Sequence, residues 1–232
     1  MSLGHGSSIV RDGLVLHLDA ANIKSYPGSG TVWKDLSGNG NDGTLVNGVG
    51  YSADNKGVMT FDGVNDTIDC GSLPEIGSSL TGLTASVWLK TQTNSARCIL
   101  ENGTSFTSNT FYMFQENAFD ITFLVYGQGG FDIVQISEPV PYNTNIWFNV
   151  VGVWQSGQRC KIYYNGLDKT SFRGGSIRNR VINGNTNMFI GARAGTQFPF
   201  LGDISNVQIY NRSLTPTEIS QNFEATRGRY GI

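Results

Sequence analysis

Short runs of alternating apolar and polar residues recur along this chain, with glycine, asparagine and serine clustered between them. Residues 83–91 give the clearest case: Leu83, Ala85, Val87 and Leu89 alternate with Thr84, Ser86, Trp88 and Lys90. A period of two places one set on each face of a β-strand. Residues 13–20 repeat the pattern, with Leu14, Leu16 and Leu18 set against Val15 and His17. Thirty glycines and only 15% charged residues favour short strands and tight turns over long helices. At 232 residues the chain suits one all-β sandwich with a sizeable buried core.

The closing segment, residues 200–223, combines a strand with a helix start. Ile204, Val207 and Ile209 are apolar between Asp203, Asn206, Gln208 and Asn211, an imperfect alternation. Thr215 and Glu218 form a capping-box pair, Pro216 suits the first helical turn, and Leu214 and Ile219 are placed to pack as a staple. Gly202, Ile204, Val207, Ile209, Tyr210 and Asn211, followed by Leu214, Thr215, Glu218 and Ile219, resemble the end of LamG-like domains of the concanavalin A-like class. The resemblance continues upstream. Trp33-Lys-Asp-Leu-Ser-Gly-Asn-Gly-Asn-Asp-Gly43 matches the family's first loop. Phe61-Asp-Gly-Val-Asn-Asp66 matches its Phe-Asp-Gly-x-Asp-Asp motif, with Asn65 in place of an Asp. Thr84, Trp88 and Lys90 match one family strand, and Trp147, Val150, Tyr164, Asn165 and Gly166 match a pair of them. Residues 188–191 match a short strand ending in Ile-Gly. The resemblance implies a two-sheet antiparallel jelly-roll sandwich with one short C-terminal helix. Residues 1–12 are expected as a flexible N-terminal arm and 13–232 as a single jelly-roll domain.

Residues 96–138 read as a four-strand meander that matches no family motif. It is rich in aromatics, among them Phe111, Tyr112, Phe114, Phe123, Tyr126 and Phe131. In a jelly roll such strands form the concave face. Residues 146–153 and 160–166 read as a hairpin, and residues 171–187 as polar loop.

Sugar sites combine an aromatic platform for the apolar ring face with amides and carboxylates for the hydroxyls. Tyr126, Gln128, Phe131 and Asp132 offer such a set around an exposed turn; buried aromatics flanking a β-turn would give the same residues. Asp35, Ser37, Asn39 and Asn41, with Gly40 among them, imitate half of a calcium loop, but Val46 stands where the bidentate glutamate belongs. Asp35 and Asn39 are therefore either ligands of a calcium completed from elsewhere or acceptors for loop amides. Related sandwiches hold calcium at strand ends, which implies Asp62 and Asp66 as further metal candidates; otherwise they close a turn.

Several function classes are excluded. Net charge is −2 and no basic run occurs, so the chain lacks a nucleic-acid surface. No apolar run approaches membrane-spanning length, so no membrane insertion is expected. His5 and His17 stand apart from Cys70, Cys98 and Cys160 in any zinc-like spacing, and the odd cysteine count gives no disulfide framework. Glycoside hydrolysis needs two carboxylates flanking the scissile bond. Glu116 and Asp120 have no third partner, and Glu75, Glu101 and Glu138 are isolated. The expected function is thus a non-catalytic, lectin-like domain for cell-surface or polysaccharide glycans, with calcium as the candidate cofactor. The alternative is a purely structural adhesion or assembly module. The opening residues resemble those of LamG-like proteins of tailed phages, which implies virion or surface proteins as partners and an extracellular or virion-surface location.

Overall fold

The computed structural model describes residues 8–77, 80–103, 110–115, 120–127, 130–136, 138–141, 144–177 and 186–232. The first strands are β1 (Leu14–Asp19), β2 (Val32–Trp33), β3 (Gly43–Val46), β4 (Gly50–Ser52), β5 (Val58–Asp62) and β6 (Thr67–Ser72). Next come β7 (Gly82–Thr91), β8 (Arg97–Asn102), β9 (Thr110–Gln115), β10 (Ile121–Gly127) and β11 (Gly130–Ile136). The last are β12 (Phe148–Gln155), β13 (Lys161–Tyr164), β14 (Leu167–Asp168), β15 (Thr170–Gly175), β16 (Asn187–Ile190) and β17 (Leu201–Tyr210), followed by helix α1 (Pro216–Thr226).

These strands form two antiparallel sheets, as the alternation and the family resemblance imply. Sheet I runs β14-β13-β12-β7-β17-β5-β4, and β1 also pairs with β17. Sheet II runs β15-β11-β10-β9-β8-β16-β6-β3-β2. The core between them takes Leu16 and Leu18 from β1, Leu83, Ala85, Val87 and Leu89 from β7, and Phe111, Met113, Phe123 and Val125 from the meander. Burying a side chain of this size is worth about 1.5–3 kcal/mol, so this alternation dominates the choice of fold.

The imperfect alternation of β17 has a structural cause. Ile204 pairs with Leu89 and Asn206 with Trp88, which leaves Ser205 as an extra, bulged residue. The bulge lets Ile204, Val207 and Ile209 all reach the core despite their unequal spacing. It also divides one edge of β17 between two partners, with Leu201–Ile204 pairing β5 and the remainder pairing β1.

The outer faces of the two sheets differ. Sheet I is covered by the C-terminal segment. Thr215 caps α1, accepting from Glu218 N while Glu218 accepts from Thr215 N. Leu214 and Ile219 pack with Leu14, Val151, Val153 and Tyr210. Trp88 lies between Phe223 and Tyr230, stacked at centroid distances of 5.6 and 3.9 Å. Its indole N–H donates to Thr226 Oγ1 at 2.9 Å. The outer face of sheet II has no such cover among the described residues.

Two expectations need correction. The meander appears as β8-β9-β10-β11, but β15 lies within the expected polar loop of residues 171–187. It is an edge strand paired to β11, and its mostly polar, exposed residues carry no buried-face signal. The turn at Asp62 and Asp66 is present, between Val58–Asp62 and Thr67–Ser72, and because these strands belong to different sheets it is a crossover at the sandwich edge. Residues 8–12, expected in a flexible arm, dock on α1. Val10 N donates to Asn222 Oδ1, Tyr210 Oη donates to Val10 O, and Gln221 donates to Ser8 O. All three cysteines are buried and free.

Candidate functional site

Cross-strand pairing builds one row of side chains across the outer face of sheet II. It runs Thr44, Asp69, Phe189, Glu101, Tyr112, Leu124, Ile133 and Gly174, each paired with the next. Period two explains the selection: Phe111 and Met113 of β9 enter the core, so Tyr112 between them and Phe114 beyond face outward. Cys98, Tyr112, Phe114, Leu124 and Ile133 form an apolar cluster there, with Ala96 and Tyr126 packed against it.

A cleft of about 190 Å³ opens on this face, lined by Ala96, Cys98, Glu101, Tyr112, Phe114, Arg193 and Phe198. One wall is the loop 191–200, GARAGTQFPF. Its position is fixed by backbone bonds: Gly191 N donates to Ile99 O, Phe200 N to Gly191 O, and Cys98 N to Phe198 O. Gly191 has φ +84°, and a Cβ there would run into the Phe61 ring. Ala194 and Phe198 hold φ values of 48° and 51°, a region that side-chain-bearing residues rarely adopt. The conformation brings the Phe198 ring edge-on to Phe114 at 5.2 Å, with Phe198 42% exposed.

The polar part of the cleft is an ion pair. Glu101 is 1% exposed, and its Oε1 lies 3.5 Å from Arg193 Nε. Its Oε2 accepts from Ala194 N at 3.1 Å, so this carboxylate also holds the loop. Burial raises the Glu101 pKa above the ordinary carboxylate value, while the Arg193 charge and the Ala194 bond pull it down. Burial likewise raises the Cys98 thiol, which acts as an apolar lining atom rather than a nucleophile.

The residues expected to bind ligand fall in two places. Tyr126 and Phe131 pair across β10 and β11 and stack at 6.0 Å on the same outer face as the cleft. Asp132 is the next residue along, so it points inward. It is fully buried, with Oδ1 bonded to Arg159 Nη1 and Oδ2 accepting from Cys160 N, both at 2.6 Å. It therefore ties β11 to the hairpin of sheet I and does not join Tyr126 and Phe131. Gln128 lies outside the described residues.

The metal candidates separate in the same way. Asp35 Oδ1 accepts from His17 N and Ser37 N, and Oδ2 accepts from Ser37 Oγ, Gly40 N and Asn41 N. Asn39 Nδ2 donates to Leu14 O and Val15 O. This carboxylate is saturated by donors from β1 and the loop, and the Asn39 amide is turned to β1 carbonyls, so Asp35 and Asn39 do not fit a calcium. Asp62 and Asp66 do come together: Asp62 N donates to Asp66 Oδ2, and Val64 N donates to Asp62 Oδ1. Asp66 Oδ1 is buried without a hydrogen-bond partner. Burial raises the Asp66 pKa, and the neighbouring Asp62 charge adds to the rise. An unfilled carboxylate oxygen beside a second carboxylate fits part of a cation's coordination shell, though calcium needs six to eight oxygens.

A family model of the concanavalin A-like lectin/glucanases superfamily matches residues 62–220. The chain belongs to that superfamily. It is also similar to the human adhesion G-protein coupled receptor D1, 26% identical over 211 residues. That match covers 86% of this chain and 22% of the receptor, so the chain spans about a fifth of the receptor's length. Among solved structures, the binding domain of Paraclostridial Mosquitocidal Protein 1 superimposes with a TM-score of 0.70 over 92% of this chain and 52% of that one. Domain 4 of AbnA, an extracellular arabinanase from Geobacillus stearothermophilus solved with arabinotriose, gives 0.60 over 90% and 97%. The botulinum neurotoxin serotype G binding domain gives 0.67 over 90% and 50%. All three are 17% identical to this chain, and the likeness is one of fold.

Sequence reasoning missed Arg193 and Phe198, which lie on a loop with no periodic pattern. Tyr112 and Phe114 carried a usable signal: they are the aromatic alternate positions of β9.

Proposed function

We propose that this chain is a non-catalytic glycan-binding domain whose sugar site is the cleft on the outer face of sheet II. The observation that carries the reading is the aromatic cleft formed by Tyr112, Phe114 and Phe198 beside the Glu101–Arg193 pair. Aromatic faces bind the apolar side of a sugar ring, and the pair offers polar groups for hydroxyls. Superfamily membership supports it, as does the likeness to an arabinanase domain solved with arabinotriose. Glu101 is the one carboxylate lining the cleft among the described residues, and Arg193 neutralises it. Hydrolysis would ask for two carboxylates with separate roles, which favours binding over catalysis.

Calcium belongs to this proposal at Asp62 and Asp66, as a stabiliser of the crossover turn. The proposed setting is extracellular or on a virion surface, and no helix among the described residues is long and apolar enough to cross a membrane. A protein-facing assembly role is the second reading. Phe172 and Ile177, 55% and 50% exposed near the β15 edge, favour it.

A glycan array probed in millimolar calcium and again in chelator tests the proposal. Specific binding is expected in both conditions, with a lower melting temperature in chelator. Absence of binding by well-folded protein would reject the glycan reading and favour assembly. Free monosaccharide competes only if a sugar site exists.

A further inference from the structure

The charge state of the cleft bears on which sugars it admits. The loop 191–200 holds two side-chain-bearing residues at positive φ, and such strain persists only where surrounding structure enforces it. Here backbone bonds hold the two ends of the loop, and Glu101 holds its middle, where its carboxylate receives Ala194 N and faces the Arg193 guanidinium. Gly195, the next residue, has φ +74° and lies over the Phe189 ring. The loop therefore delivers a cation to a site that already contains a buried anion.

The consequence is a cleft with aromatic walls and a self-neutralised ion pair. Both members of the pair are at least nine-tenths buried. Charges interact strongly where water is excluded, so each neutralises the other's field before a ligand arrives. A ligand carboxylate would meet Glu101 as a like charge, and an ammonium group would meet Arg193. The same row adds a second acid, Asp69, two strands away beside Phe189. Against these costs a charged ligand finds no surplus counter-charge in the row. A neutral ring meets no such opposing charge and gains the exposed Phe198 ring together with the cleft-lining parts of Tyr112 and Phe114, which are 7% and 8% exposed. The volume, about 190 Å³, is below that of drug-sized ligand pockets and suits a single ring.

We propose that the cleft selects uncharged sugar rings over acidic ones, and that Glu101 sets this preference by neutralising Arg193. The proposal rests on the glycan-binding reading and adds a substrate class and a specificity-determining residue to it. Like-charge juxtaposition is an effective means of rejecting wrong partners, and such selectivity is reversible by removing the offending charge.

The test is a mixed array of neutral, sialylated, uronate-containing and sulfated oligosaccharides, with affinities of the hits measured by titration calorimetry. The native chain is expected to bind neutral oligosaccharides and to discriminate against their acidic counterparts by about tenfold or more. Glu101→Gln keeps an acceptor for Ala194 N but removes the counter-charge beside Arg193. It is expected to shift the acidic-to-neutral preference by about tenfold towards acidic sugars. Arg193→Gln should show no such gain, and circular dichroism confirms that each variant is folded. Enrichment of acidic glycans by the native chain would overturn the proposal while leaving the glycan reading intact, and this arm needs no variant. An unchanged preference in folded Glu101→Gln would overturn the role of Glu101. Absence of all binding by folded native protein would overturn both the proposal and the reading beneath it.

Discussion

Asp132 and Asp66 are both almost fully buried, yet their surroundings differ. Asp132 has a guanidinium on one oxygen and a backbone N–H on the other. Asp66 has a backbone N–H on Oδ2 and no hydrogen-bond partner on Oδ1. Its ionised form is disfavoured by burial, which holds its pKa above the unfolded value. A raised folded pKa means that its favourable contribution is full below the unfolded pKa, near 3.8, and is lost as pH rises through the folded value. Asp66→Asn is therefore expected to gain stability relative to the native chain between pH 3.5 and pH 7, read as the difference in melting temperature without calcium. The variant should also lose the calcium-dependent rise in melting temperature. The alternate-oxygen pattern of Asp35 and Asn39 was readable in the sequence, as was the alternative of loop amides, but the partners from β1 were not: His17 N donates to Asp35, and Leu14 O and Val15 O accept from Asn39. Asp132 was misread for a related reason: it neighbours Phe131 in sequence, and strand parity sends its side chain to the opposite face.

Among the elements, helix α1 was the most readable, since its start rests on local chemistry. Arg212 donates to both carboxylate oxygens of Glu218, at 3.0 and 2.7 Å, and Thr215 adds the capping bonds. Arg212 is the largest cause that lowers the Glu218 pKa to about 2. A depressed folded pKa gives stability that is full above the unfolded pKa and is lost as pH falls towards the folded value. Glu218→Gln should cost about 1 kcal/mol near neutral pH, the worth of a cap, and its difference from the native chain should shrink towards pH 2 in denaturant titrations. The packing of the same segment predicts a larger loss. Trp88→Ala, which empties the space between Phe223 and Tyr230, should cost about 3–5 kcal/mol by urea unfolding. Strand β15 and the loop 191–200 were not readable. The first is an exposed edge held by backbone pairing, and the second is shaped by bonds to β8, roughly ninety residues away in sequence, from the backbone of Cys98 and Ile99 and the Glu101 carboxylate.

For the molecule as a whole, the asymmetry between the two sheets is what places the proposed site on sheet II. The C-terminal segment closes the outer face of sheet I, and the outer face of sheet II carries a mostly buried apolar cluster that opens at the cleft beside the exposed Phe198. The closed side contains His17 and its surroundings. Burial is the largest influence on His17 and lowers its pKa; the charges of Asp19 and Asp35 raise it, and those of Arg11 and Arg229 lower it. Stability from His17 is thus full above the unfolded pKa of about 6.5 and is lost as pH falls below it. His17→Gln should reduce the fall in the urea midpoint between pH 7.5 and pH 5.5. That change concerns the sheet opposite the cleft, so glycan affinity should stay the same. Phe198 is exposed and lies outside the core, so its removal probes the proposed site with little effect on packing. Calorimetric titration of an array-selected neutral oligosaccharide into the native chain and into Phe198→Ala is the decisive comparison. At least a tenfold loss of affinity, about 1.4 kcal/mol, is expected at an unchanged melting temperature. Equal affinity in the two proteins would contradict a sugar site on the outer face of sheet II.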